Sequence, residues 1–393
     1  MLNLLRIKVN GFKLLEDDFK LDLTAKARVY EIDKEKEVEQ IDRGLYLLRT
    51  NAFVGSNSSG KSTILLLILK VLMLLQTGRW HYVSNEFNKD KISLEIVFYL
   101  NNYLYEYKVD ILKINDSLYG RNDLFSPIKE ISLFKTKYNK TKGLKNLDNI
   151  SKVGKDENDL LSSSLNDTSS ITKLTSNYVL FDDFSNNNIS NFTETILRNS
   201  FFTSLNSCSK DLVSAIIRLF DDSIEYISVS NDNLVKFKRI NEKEKLMPFN
   251  ELISILSSGT FRGVELYIRC IEALRYGKTI VIDEIENCFQ KNLVYNLLFL
   301  FNDCSLNKKG AKLIFSTHYI EILDYLERRD SIFITHKENG RINVKNLYLD
   351  YNVRTELLKS KQFDNNVFNT KTNYQELLAV RRTLLNELQT NND

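Results

Sequence analysis

The run Gly55-Ser56-Asn57-Ser58-Ser59-Gly60-Lys61-Ser62 constrains this chain more than any other stretch of it. It has the form GxxxxGKS and lies between two apolar segments, Leu45 to Val54 and Ile64 to Gln76. The first segment predicts a strand and the second a helix, which is the setting a phosphate-binding loop requires. Small residues let backbone N–H groups curl around phosphate oxygens, and the helix N-terminus adds partial positive charge. Lys61 can reach the β- and γ-phosphates, and Ser62 can hold Mg²⁺. The residues expected to bind ATP here are Gly55, Asn57, Ser59, Gly60, Lys61, Ser62 and Thr63.

A phosphate cradle alone does not hydrolyse ATP. A second strand must bring carboxylates to organise the metal and the attacking water. Thr279-Ile-Val-Ile-Asp283-Glu284 has that form: an apolar, buried-type strand ending in two acids. Ligands of open α/β sheets sit at the carboxyl ends of strands. Asp283 is expected to hold Mg²⁺ through water, and Glu284 to orient or deprotonate the nucleophilic water. Leu256-Ser257-Ser258-Gly259-Thr260 precedes a predicted helix, so Ser257 and Gly259 can present a hydroxyl and N–H groups to a second anion. A plain serine cap is the simpler reading of that segment. Leu313-Ile-Phe-Ser-Thr-His318 is a further apolar strand ending in one of the chain's 3 histidines.

Composition narrows the class. The chain has 393 residues, 43% hydrophobic, with a net charge of only +3. That balance carries no global argument for nucleic-acid binding, although local patches stay open. The 4 cysteines form no CxxC pair and no zinc pattern. The most apolar run, Ile64 to Leu75, is about 12 residues and below the ~20 needed to span a bilayer. It reads as a buried helix, and the N-terminus lacks a signal-peptide core. A soluble, cytoplasmic protein without membrane contact is expected.

Along the chain, Leu4 to Val9 and Phe19 to Leu23 alternate like strands. Residues 31–43 are charged and read as an exposed excursion. Ile92–Leu100 and Tyr103–Ile111 flank Asn101-Asn102, and asparagine tolerates the positive φ of a two-residue hairpin turn. Residues 135–192 are rich in Lys, Ser, Asn and Thr and predict a mobile insertion. From Glu251 the pattern predicts helix 261–276, strand 279–283, helix 289–302, and strands 312–316 and 331–335. Such alternation implies a mostly parallel sheet with helices on both faces. The tail 353–388 carries helical spacing.

P-loop, signature-like Leu-Ser-Ser-Gly-Thr, Asp-Glu strand and strand-end histidine occur in the order found in ABC-type ATPases, which the chain resembles at these motifs. More narrowly it looks like the small soluble prokaryotic ATPases related to the SMC and OLD proteins. The resemblance implies an α/β head with a mixed, largely parallel sheet, an antiparallel β subdomain and an inserted helical or irregular subdomain. The expected division is 1–115 (N-terminal lobe), 116–249 (insertion), 250–350 (C-terminal lobe) and 351–393 (helical tail). It also implies a homodimer or higher homo-oligomer, with Ser257 and Gly259 of one copy closing on ATP held by the other and His318 sensing the γ-phosphate. There are departures. No glutamine occurs from 77 to 289 to serve as a Q-loop, and Glu130 is the candidate substitute. Cys288-Phe289-Gln290 stands where many relatives carry Leu-His-Pro.

Two functions compete. One is a switch in anti-phage defence of the abortive-infection type, controlling a separate nuclease or toxin. It draws on the resemblance and on the absence of an acid cluster after His318, where Asp324, Asp330, Asp350 and Asp364 are scattered. The other is DNA repair or chromosome maintenance, a class that inserts long heptad coiled coils, whereas most of the insertion here lacks heptads. A transporter subunit fits poorly with the insertion and the signature variant. A GTPase fits poorly because Asn139-Lys-Thr-Lys142 lacks the Asp that recognises guanine.

Overall fold

The computed structural model describes residues 2–114, 125–139, 147–157, 208–230, 234–352, 356–370 and 374–390. The N-terminal alternation forms an antiparallel pair, β1 (Asn3–Asn10) and β2 (Phe19–Asp22). The charged excursion is not wholly exposed. It holds a short helix, α1 (Glu31–Glu35), and a strand, β3 (Val38–Asp42), whose Val38 is buried. The predicted strand Leu45–Val54 is two strands, β4 (Leu45–Leu48) and β5 (Thr50–Val54). It breaks at Arg49, whose N–H donates to Glu37 O and whose guanidinium donates to the carbonyls of Lys36 and Asn302. The first strand pairs with β3, and the second enters the main sheet.

After the P-loop comes α2 (Lys61–Thr77). β6 (Lys91–Leu100) and β7 (Tyr103–Leu112) then meet at Asn101 and Asn102, both with positive φ, 49° and 67°. This is the hairpin that the paired asparagines predict. β8 (Ile128–Lys137) pairs along the length of β7, so the segment expected to be irregular from 135 begins as a strand. A single helical turn, α3 (Ile150–Val153), and β9 (Lys155–Asp156) complete an antiparallel sheet of order β2-β1-β6-β7-β8-β9. Most of the insertion expected to be mobile over 135–192 lies outside the described residues, at 140–146 and 158–192.

The chain continues through α4 (Lys210–Arg218) into a meander of β10 (Ile224–Val229), β11 (Leu234–Arg239) and β12 (Lys245–Pro248). Two helices follow, α5 (Phe249–Ile255) and α6 (Ser258–Tyr276). Then β13 (Thr279–Ile282), α7 (Lys291–Asn302), β14 (Lys312–Ser316), β15 (Ile332–Glu338) and β16 (Arg341–Asn346) alternate much as the sequence predicts. They form a second sheet of order β13-β14-β5-β15-β16, parallel except for β16. The tail holds α8 (Lys359–Asp364) and α9 (Tyr374–Thr390).

The pleat of this sheet explains its uninterrupted apolar strands. Phe53, Val281, Ile314 and Phe333 share a core with α2 and the antiparallel sheet. Their neighbours Val54, Ile282, Phe315 and Ile334 share a core with α6 and α7. Helix α2 thus lies between two sheets, and a helix covered on all sides is apolar on all sides. Among the described residues no helix is long and apolar enough to cross a membrane.

Candidate functional site

The four parallel strands bring their carboxyl ends to one edge. β5 runs into the P-loop, β13 into Asp283-Glu284, β14 into Thr317-His318, and β15 ends beside the P-loop. Sequence-distant candidates thereby converge as the rule for open α/β sheets requires.

Two P-loop glycines are demanded by packing. A Cβ on Gly55 would lie 2.4 Å from Thr335 Oγ1 and 2.6 Å from Ser59 Oγ. A Cβ on Gly60 would lie 2.3 Å from Ile342 Cγ2, and its φ of +107° disfavours any side chain. Ser59 is buried, and its hydroxyl bonds Thr335 Oγ1 at 2.5 Å, which ties the loop to β15. Asn57 and Ser62 are exposed, and Thr63 is half-buried in the first turn of α2. Lys61 is 5% exposed, and its Nζ donates to the carbonyls of Gly55 (3.1 Å) and Ser56 (3.2 Å). Burial holds its ammonium below the usual lysine range, while Asp283, Glu284 and Glu286 pull the other way. The amine thus rests on the loop's own carbonyls, within electrostatic reach of the carboxylates after β13.

Ser316, at the end of β14, organises that loop. Its hydroxyl donates to Asp283 Oδ1 at 2.5 Å and accepts the N–H of Glu284 at 2.7 Å. Glu284 needs this support, because it has φ 50° and ψ 64°. A non-glycine residue in that region stores roughly 1–3 kcal/mol of strain. Asn287 Nδ2 also donates to Glu284 Oε2 at 2.6 Å. Glu286 joins the two strand ends: its carboxylate accepts from Thr317 Oγ1 (2.8 Å) and from the N–H of His318 (2.6 Å). His318 itself is exposed. Sequence patterns assign no role to Ser316, Glu286, Asn287 or Thr335. The only signal is proximity: Ser316 stands two residues before His318, and Glu286 two after Glu284.

Ser257 caps α6, its Oγ accepting from Thr260 N at 3.0 Å. The simple cap is therefore real, but it leaves Gly259 unexplained. A Cβ there would meet, among the described residues outside its own helix backbone, nothing nearer than Ser257 Oγ at 3.9 Å. Glu130 lies in β8, where Tyr107 Oη donates to it at 2.8 Å. Phe289, in the Cys-Phe-Gln segment, is 2% exposed and packs edge-on against Tyr267. It serves the core.

Among the described residues no three His, Cys, Asp or Glu side chains gather as a metal site. A Mg²⁺ ion here would rely on Ser62, Asp283 and phosphate oxygens, as hard cations in nucleotide sites do. The glycine-lined cradle, the buried lysine and the nearby acids fit that pairing.

The family model described as "AAA domain, putative AbiEii toxin, Type IV TA system" matches residues 50–324. No curated protein matches the sequence significantly. Among solved structures the chain is similar to the SMC head domain from Thermotoga maritima, at 12% identity and a TM-score of 0.42, over 88% of this chain and 98% of that one. The family match runs from β5 past His318 and so takes in the P-loop, the capped α6 and both strand ends; the chain belongs to this AAA-domain family of ATPases.

Proposed function

We propose that the chain hydrolyses ATP to ADP and phosphate, and that two copies close on the nucleotide to form a switch. The P-loop binds the phosphates, and Lys61 contacts the β- and γ-oxygens. Ser62 and Asp283 hold Mg²⁺, which shields charge on the phosphates. Glu284 orients the attacking water and accepts its proton, and His318 contacts the γ-phosphate. In this reading residues 1–115 and 250–350 are the two lobes of the head.

The observation that carries the two-copy reading is Gly259. Among the described residues nothing crowds its backbone, so an alanine would fit there, and alanine is the better helix former. A close approach from outside, phosphate held by a second copy, explains a residue with no side chain there. The output is then a change in association, since ATP bridges the copies and hydrolysis releases them.

The switch is proposed to control a separate effector in prokaryotic anti-phage defence. The family description, which names a toxin–antitoxin system, and the motif resemblance support the defence setting. Asp330 accepts from the amides of Lys26 and Ala27, Asp350 from Asn346 N, and Asp324 from Ser360 N. These three acids hold structural contacts within the chain.

Glu284→Gln tests the reading. It should bind Mg-ATP without turning it over and elute as a dimer in size-exclusion chromatography. An unchanged monomer with ATP bound would sink the two-copy model. Stimulation of wild-type turnover by duplex DNA would favour the DNA-maintenance reading instead.

A further inference from the structure

A polar cavity of about 340 Å³ adjoins the P-loop on the side away from Asp283, Glu284 and His318. Residues Ser56 to Ser59 form one wall, and His336, Lys337, Glu338 and Asn369 stand on the other. The pleat of β15 says which way Lys337 points. Phe333 packs in the α2 core, and Thr335 bonds Ser59 of the P-loop. Lys337 is the next residue on that same face. His336 also lines the cavity, and its Nε2 lies within 2.6 Å of Tyr351 Oη. The register agrees independently. Lys337 pairs with Ile342, the residue that crowds Gly60.

The charge balance gives this placement a purpose. Lys61 is the P-loop's own cation, and three carboxylates, Asp283, Glu284 and Glu286, act on it from the β13 side. A polyphosphate entering there meets more negative than positive charge. Lys337 is exposed and, among the described residues, makes no ion pair. Its neighbour Glu338 is within 3.7 Å of Lys345 instead.

We propose that Lys337 is a second phosphate-binding cation of the nucleotide site, supplied by β15 and acting from the flank opposite the hydrolytic residues. This rests on the ATP-binding reading of the P-loop. Loss of one charged hydrogen bond to phosphate weakens binding by about tenfold.

Calorimetric titration of the full chain with Mg-ATP at low salt tests it, using wild type, Lys337→Ala, Lys337→Arg and Lys61→Ala. Lys337→Ala should bind about tenfold more weakly, by the same reckoning, and Lys337→Arg should recover most of that. The gap should narrow as salt rises, because the contact is partly exposed. The melting midpoint without nucleotide should match wild type, which separates a phosphate contact from a structural one. Equal affinities of wild type and Lys337→Ala would overturn the inference while leaving ATP binding intact. Absence of ATP binding by wild type itself would overturn the ATP reading and the inference with it.

Discussion

At the scale of single residues the site depends on Ser316. One hydroxyl there serves both acids of the β13 loop, donating to Asp283 and accepting from the strained Glu284 backbone. Ser316 is fully buried, so no water replaces it readily. Ser316→Ala removes the partner of a half-buried N–H and of a half-buried carboxylate oxygen, each worth about 0.5–1.5 kcal/mol. Much of that cost falls on the geometry of Asp283 and Glu284. ATP turnover, followed by phosphate release, should drop by roughly ten- to a hundredfold, with ATP affinity little changed because the P-loop is untouched. Unchanged turnover would mean that the loop holds its shape without this hub. Glu284 is legible in the sequence because a carboxylate after an apolar strand is a pattern. Ser316 is not, because its role exists only once β13 and β14 are neighbours.

At the scale of elements, local signals succeed where chemistry is local. The Asn101-Asn102 turn depends on φ preferences of two residues, and the pleated strands of the main sheet on an unbroken apolar run. The break at Arg49 is different. It depends on a guanidinium binding carbonyls of Lys36 and Asn302, a partnership no window of sequence contains. Strand β8 is similar: its lysines look like loop, and pairing with β7 makes it strand. Lys312, at the start of β14, conflicts with its own element. It is 7% exposed, and among the described residues its Nζ has no hydrogen-bond partner. Burial pushes its amine down to about 8, with Glu39 opposing. The unfolded chain then binds more protons between about pH 8 and the ordinary lysine range, so this group makes stability rise with pH there. Below that window the cost is fully present, at most about 3 kcal/mol. Lys312→Met keeps the stem and removes the charge. It should raise the melting midpoint at pH 7 by several degrees, with the gain shrinking toward pH 10. A lower midpoint at pH 7 would show that the amine is satisfied in solution.

At the scale of the whole molecule, segments near the N-terminus are clamped to the loop between β14 and β15. Arg328 donates to Asp33 Oδ2 and to the carbonyls of Arg28 and Ala27. Glu37, just before β3, accepts the N–H groups of Glu327 (2.6 Å) and Arg328 (2.8 Å) through its two carboxylate oxygens. The clamp joins residues almost 300 positions apart, so residues 31–43 can only read as a solvated excursion in sequence. Burial pushes the Glu37 carboxyl up to about 7, against the pull of those two amides. The folded state therefore holds a proton that the unfolded state releases near the ordinary value of 4.5. The contribution of this group to stability is full below pH 4.5 and is lost as pH rises through 7. Its ceiling is about 3 kcal/mol, since each pH unit between the two values is worth about 1.4 kcal/mol. Glu37→Gln cannot titrate, but it offers one acceptor oxygen in place of two, so its absolute stability should fall. The informative quantity is the slope. Urea melts at pH 5, 6 and 7 should show wild type losing more stability across the series than Glu37→Gln. Parallel slopes would mean that the carboxyl titrates normally and that the clamp works as a plain carboxylate–amide contact at every pH.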